Sequence, residues 1–194
     1  MSLVCGVGTN TRKSVRHCLY YQAWNSMLSR CYGNSKNPSM DRYLECSVSD
    51  DWLFFDNFRD WMVQQRWEGR VLDKDLLVFN NKIYSSSTCV FVPRFVNQFV
   101  VMSDKSRGDF PVGVSFRKDR EKYRSYITKG NKYISLGHFT NPKDAHLAWQ
   151  LAKIEQAREY IDIFKEDPLI ISGLERVVKK IQEDVDSDAE TKNI

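Results

Sequence analysis

Gly113-Val114-Ser115-Phe116-Arg117, Tyr123-Arg124-Ser125-Tyr126-Ile127-Thr128 and Tyr133-Ile134-Ser135-Leu136-Gly137-His138-Phe139 are three short alternating runs, and an Ala-rich run from Asn141 to Gln156 follows them. Alternation of apolar and polar residues predicts strands, and the spacing of Ala145, Ala148, Trp149 and Ala152 predicts a helix with one apolar stripe. Gly130-Asn131 supplies a turn between the second and third runs, since both residues tolerate left-handed backbone angles. At the helix entry, Asn141 suits the cap, Pro142 the first helical position and Asp144 the electropositive first turn. The stretch therefore reads as a three-stranded antiparallel sheet packed on one helix. Period two sends Tyr123, Ser125 and Ile127 to one face and Arg124, Tyr126 and Thr128 to the other. Ile134 and Leu136 join the buried side, with Phe139 just beyond the strand, and Tyr133 and Ser135 join the open side.

Charge is concentrated in the same place. Between Arg107 and Lys132 eight basic residues face three acidic ones, whereas the segment after Ile181 carries Glu183, Asp184, Asp186, Asp188 and Glu190 against Lys192. The formal net charge of +4 is thus the remainder of two opposite local excesses. A basic sheet face suits phosphate neutralisation and salt-dependent nucleic-acid binding. A solvated basic hairpin without a partner reads the same from charge alone.

The combination Gly113-Val114-Ser115-Phe116-Arg117, Lys122 to Ile127, Leu136-Gly137-His138-Phe139 and Ala145 to Ala152 resembles the Apetala/ethylene-response-factor type DNA-binding domain, especially the version appended to phage homing endonucleases. The resemblance covers about a quarter of the chain. It implies a sheet that enters the major groove of double-stranded DNA, and places Arg117, Arg124, Tyr126, Thr128, Tyr133 and Ser135 at DNA-facing positions; Lys118 and Arg120, from the basic excess, join them as DNA-binding candidates. Ser115 stands where the plant pattern has arginine and Ser135 where it has tryptophan, so base preference does not transfer.

Upstream, Tyr20, Trp24, Met27, Leu28 and Cys31 share a helical stripe, and a second helix starting near Ser49-Asp50-Asp51 would present Trp52, Phe55, Phe58, Trp61 and Met62. These aromatics read first as core. Leu72 to Leu77, a turn at Asn80-Asn81, the run Tyr84 to Pro93 and Phe95-Val96-Asn97 then read as strand, loop, strand and short helix. From about His17 to Asn97 the chain resembles phage HNH-family nucleases, built on a ββα-metal unit. On that resemblance Asp73 and Lys74 occupy the first-strand pair, Thr88-Cys89 the second-strand segment and Asn97 the helix position.

Phosphodiester cleavage at such a unit requires a divalent cation and a base. Asp73 and Asn97 offer hard oxygen ligands for Mg²⁺ or Mn²⁺, and Asp75 another carboxylate. Lys74 stands where the family has its histidine, and an ammonium is no base at neutral pH unless strongly desolvated. Thr88 replaces the asparagine that orients that base. His17, His138 and His146 lie outside the ββα stretch. Two readings stay open here: a working nuclease in which Asp73, Asp75 and Asn97 hold the metal, Lys74 contacts phosphate and His17 or metal-bound hydroxide replaces the base, or an HNH-derived scaffold that binds without cutting. A third class is a phage factor that inhibits a host protein, using the acidic tail.

The expected fold is α+β, organised as an HNH-like module over 1–101, a linker over 102–110, the DNA-binding domain over 111–165, a C-terminal helix over 166–182 and an acidic disordered tail over 183–194. Leu174, Val177, Val178 and Ile181 give that last helix a stripe that would cover either its own domain or a second copy in a homodimer. Cys5, Cys18, Cys31, Cys46 and Cys89 form no CxxC pair, so structural zinc is not indicated, although Cys31, Cys46 and Cys89 could converge. Scattered, odd-numbered thiols suit a reducing cytosol, and neither a signal-peptide core nor a membrane-spanning run is present.

Overall fold

Aromatic helices in the N-terminal half and an alternating sheet in the C-terminal half each build a core, giving an α+β protein. The structure, a computed structural model, describes residues 3–15, 17–33, 38–101, 109–130 and 132–194. Contacts divide the chain into one unit over Met1–Val92 and a second over Pro93–Ile194. The sequence places the junction at 102–110, of which 102–108 lie outside the described residues. The division falls earlier because the helix after Pro93 packs into the second unit: Phe95 and Phe99 meet the Tyr160 ring at centroid distances of 5.1 and 5.4 Å.

In the first unit α1 (Leu19–Tyr32) buries Trp24, Met27 and Leu28, and α2 (Phe55–Val63) buries Phe55, Phe58 and Met62. The second apolar run does not begin as one helix at Ser49. A 3₁₀ turn over Asp50–Leu53 comes first, and extended backbone at Phe54 separates it from α2. That break lets the Trp52 indole stack edge-on against Phe58, while the Trp52 carbonyl accepts the Trp24 Nε1 proton at 2.7 Å. A buried indole needs such an acceptor. Two small ladders complete the unit. β1 (Ser47–Val48) runs parallel to β3 (Ile83–Tyr84), and β2 (Val71–Asp73) pairs antiparallel with β4 (Val90–Val92), Asp73 opposite Val90.

In the second unit α3 (Arg94–Val100) precedes an antiparallel sheet of β5 (Val114–Arg117), β6 (Lys122–Lys129) and β7 (Lys132–Phe139) in that order. The entry to α4 (Pro142–Ile163) follows the sequence closely: Asn141 Oδ1 accepts the Asp144 N–H at 2.8 Å, with Pro142 in the first turn. The alternating register holds through Val114, Ser125 and Ile127, all buried. It slips at β7. Ser125 lies opposite Gly137 but Tyr126 opposite Ser135, leaving Leu136 as the extra residue of a β-bulge. Ile134, expected in the core, sits opposite Ile127 yet stays 40% exposed near the hairpin tip.

α4 is the central element, and its polar residues are as deeply placed as its alanines. His146, Gln150, Lys153 and Gln156 are all buried. Each bonds in a different direction, Gln156 Nε2 donating to the Thr128 carbonyl and the Tyr160 hydroxyl while its Oε1 has no partner among the described residues. α5 (Pro168–Asp186) lays Ile170, Leu174, Val177 and Ile181 against α4, so the stripe is covered within its own unit.

The acidic terminus differs from the disordered tail expected over 183–194. α5 continues to Asp186, and Thr191 is fully buried. Its amide donates to His146 Nε2 at 3.0 Å and its hydroxyl to Asp184 Oδ2 at 2.8 Å, while Gln150 Nε2 donates to Thr191 Oγ1 and to the Ala189 carbonyl. With Nε2 accepting, the imidazole proton lies on Nδ1 and donates to the Val112 carbonyl at 2.9 Å. Composition does not show this strap, because a handful of specific bonds to a partner helix holds an otherwise polar segment.

Candidate nucleic-acid interface and candidate metal centre

The strand pairing aligns side chains on the open face of the second-unit sheet. Ser115 stands opposite Arg124, and Arg124 opposite His138, giving a three-residue row across all three strands. Period two puts Tyr126 on the same face as Arg124, and the Arg124 guanidinium lies 5.0 Å from the Tyr126 ring centroid. Tyr133 packs diagonally against Tyr126 at 5.8 Å and is 78% exposed. Tyr126 faces Ser135 and Thr128 faces Tyr133 in the ladder, so the residues expected on this face do share it.

His138 is the residue that plain alternation misses. Uninterrupted period two from Tyr133 would turn it toward the helix. The bulge at Leu136 reverses the parity and brings it out beside Arg124. Gly137, with a φ of +127°, was the available sign, since a lone glycine inside a strand pattern often marks a bulge.

Beside this row lies the β5–β6 turn. Arg117 donates from Nε and Nη2 to the two carboxylate oxygens of Asp119 at 2.9 and 3.0 Å. That bidentate pairing holds the Asp119 carboxyl down to about 2, and Arg120 lies 3.8 Å from the same carboxylate. Lys118 and Lys122 are exposed. Ser115 Oγ and Arg124 Nε are buried atoms without hydrogen-bond partners among the described residues.

In the first unit Asp73 closes a turn. Its Oδ1 accepts the backbone N–H groups of Asp75 and Leu76 at 2.9 and 2.7 Å, and the residue is 3% exposed. Lys74 turns inward, donating to Asp75 Oδ1 at 2.5 Å and to the Asn81 carbonyl at 2.8 Å. Asn81 answers with bonds to the Lys74 and Ile83 carbonyls. Burial opposes the Lys74 charge, but the Asp75 carboxylate more than offsets it and leaves the pKa above the ordinary lysine value. Lys74 is therefore an ammonium that clamps a loop, not a base and not a group turned toward phosphate.

Thr88 Oγ1 donates to the Ile83 carbonyl at 2.8 Å and meets Ser85 Oγ at 2.8 Å, a local turn contact. His17 is exposed ahead of α1, in a cleft lined by Asn10, Ser14, Val15 and Tyr21 rather than by the Asp73 turn. Asn97 belongs to α3 in the second unit, where its carbonyl accepts the Val101 N–H. In the Asp73–Asp75 turn, Asp73 Oδ1 carries two N–H donors and Asp75 Oδ1 the Lys74 ammonium, so these two oxygens are engaged within the loop. Among the described residues no group of three or more His, Cys, Asp and Glu side chains could hold a metal ion. Burial pushes the Cys31 and Cys89 thiols up to about 12, which keeps both neutral and poorly nucleophilic.

Among the described residues no helix is long and apolar enough to cross a membrane. No family model matches the chain, and neither the curated proteins nor the solved structures contain a match to it.

Proposed function

We propose that the protein binds double-stranded DNA through the open face of its β5–β6–β7 sheet. The observation that carries this reading is the Ser115–Arg124–His138 row, with Arg124 held over Tyr126 at the centre of a face rimmed by Lys118, Arg120 and Lys122. Hydrogen-bonding side chains in a row across three strands, on a face that carries exposed aromatic and cationic groups, suit base edges and flanking phosphates together. The resemblance of the same strands to the Apetala-type domain supports the reading.

Binding measured by fluorescence anisotropy on duplexes selected from a random pool should weaken steeply with salt, because phosphate neutralisation releases counterions. Arg124→Ala should cost about 1–3 kcal/mol on a selected site if the guanidinium contacts a base. Unchanged affinity for that site would remove Arg124 from the interface. Failure of the wild type to bind any duplex at low salt would end the reading altogether.

For the first unit we infer an HNH-derived scaffold that no longer cuts. The β2–β4 ladder followed in the chain by α3 supports the resemblance, while the engagement of Asp73 and Lys74 in their own turn argues against catalysis. Selected duplexes incubated with Mg²⁺ or Mn²⁺ should therefore remain intact. Metal-dependent nicking that disappears in Asp73→Asn, with the variant still folded, would establish the nuclease reading instead.

A further inference from the structure

We propose that Asp119 is a positioning residue that makes Arg117 a reader of guanine. The inference rests on the DNA-binding reading above and adds to it the base class that one side chain selects. Arg117 ends β5 opposite Lys122, on the same face as Ser115 and Arg124. An arginine there would ordinarily sample many rotamers. Here Asp119 grips its Nε–Nη2 edge with two bonds of 2.9 and 3.0 Å, which fixes both the plane and the roll of the guanidinium.

Five N–H donors lie around that plane. Asp119 occupies the Nε–H and one Nη2–H. Nη1 keeps both of its protons and Nη2 keeps one, so the free edge presents two parallel donors in a fixed direction. Two acceptors side by side are what guanine offers through O6 and N7 in the major groove.

A phosphate could also accept two such bonds, and charge decides between them. The Asp119 carboxylate cancels most of the field that would draw an anion to Arg117, yet leaves the donor geometry intact for a neutral base. A pure phosphate contact is better served by an arginine without a carboxylate beside it. Lys118 and Lys122 are exposed beside the pair and supply cations for flanking phosphates. Both members of the pair are themselves substantially exposed, at 43% and 55%, so substitution there leaves the core untouched.

The test uses the full chain and duplexes selected by the wild type from a random pool. Each guanine of the selected site is replaced in turn by 7-deazaguanine, which removes N7 alone. One position should lose about 5- to 150-fold in wild-type affinity. Arg117→Lys, which keeps the charge but not the fork, should show little further loss at that position. Asp119→Asn should bind unselected DNA more tightly while its discrimination at that guanine falls.

Three outcomes would overturn the proposal, and they are distinguishable. Tighter binding of Asp119→Asn to all duplexes with base preference intact would make Asp119 a neutralising charge only. A change in the salt slope of Arg117→Lys without any change in base preference would make Arg117 a phosphate contact. Absence of duplex binding by the wild type would remove the DNA-binding function itself, and this inference with it.

Discussion

Gly113→Ala should destabilise the second unit by about 3–5 kcal/mol, a large share of the stability of an ordinary domain. Gly113 has a φ of +75°, where an L side chain costs roughly 1–2 kcal/mol in backbone strain alone. A Cβ built there would stand 1.9 Å from Trp149 Cδ1 and 2.3 Å from Cγ. The indole has nowhere to retreat. Trp149 is 4% exposed in the middle of α4 and stacks on His146, their ring planes 12° apart. His146 in turn holds the Val112 carbonyl and the Thr191 amide, so moving the indole disturbs the start of β5 and the C-terminal strap together. Gly130→Ala is the control. It has a φ of +59° with nothing within 4 Å, so it should show the backbone strain without the collision. Amide exchange in α4 measures both variants. Equal losses of protection in the two would show that Trp149 accommodates the methyl group and that close packing on Gly113 contributes little.

Lys153→Met should stabilise the second unit at pH 6 by about 1–4 kcal/mol. Lys153 is 8% exposed, its Nζ 3.7 Å from the Phe99 ring centroid and 2.7 Å from the Phe99 carbonyl. That carbonyl lies in the last turn of α3, where no intrahelical donor remains, so the ammonium caps a helix end. One cap and one ring do not replace the water that a charged amine gives up. Desolvation lowers the Lys153 pKa to about 7.

The sign of the pH dependence follows. Between pH 7 and the ordinary lysine value near 10.4, the unfolded chain binds one proton more than the folded chain, so stability rises with pH through that window. Below about pH 7 both states are protonated and the cost of burying the charge is fully present. Methionine, similar in length and apolar, removes the cost and flattens the rise. Chemical denaturation at pH 6 and pH 10 measures it: the variant should exceed wild type at pH 6 and approach it at pH 10. A variant less stable than wild type at pH 6 would mean that the carbonyl and ring contacts outweigh desolvation.

Both predictions concern α4, and α4 is where sequence and structure diverge most instructively. Its apolar stripe was legible, and Ala145 and Trp149 do pack inward. His146, Gln150, Lys153 and Gln156 lie outside that stripe, yet each is buried, with bonds to α3, the sheet or the terminal strap. Periodicity sees one neighbour for a helix. A central helix has several, and polar side chains can be buried wherever a neighbouring backbone carbonyl or amide is left unpaired.

Local codes explain what the sequence by itself determined: the three strands, the Asn141 cap with Pro142 and Asp144, and the parity that groups Arg124 with Tyr126 and Tyr133. These depend on residues adjacent in the chain, whose geometry a period of two or 3.6 carries directly. Tertiary structure decided the rest. The bulge at Leu136 brought His138 beside Arg124. The strap at Thr191 ordered an acidic terminus, and the Asn81 carbonyl drew the Lys74 ammonium inward. In each case a polar group's partner is chosen by folding rather than by spacing, because a buried donor or acceptor takes whichever complement the packed chain brings within reach.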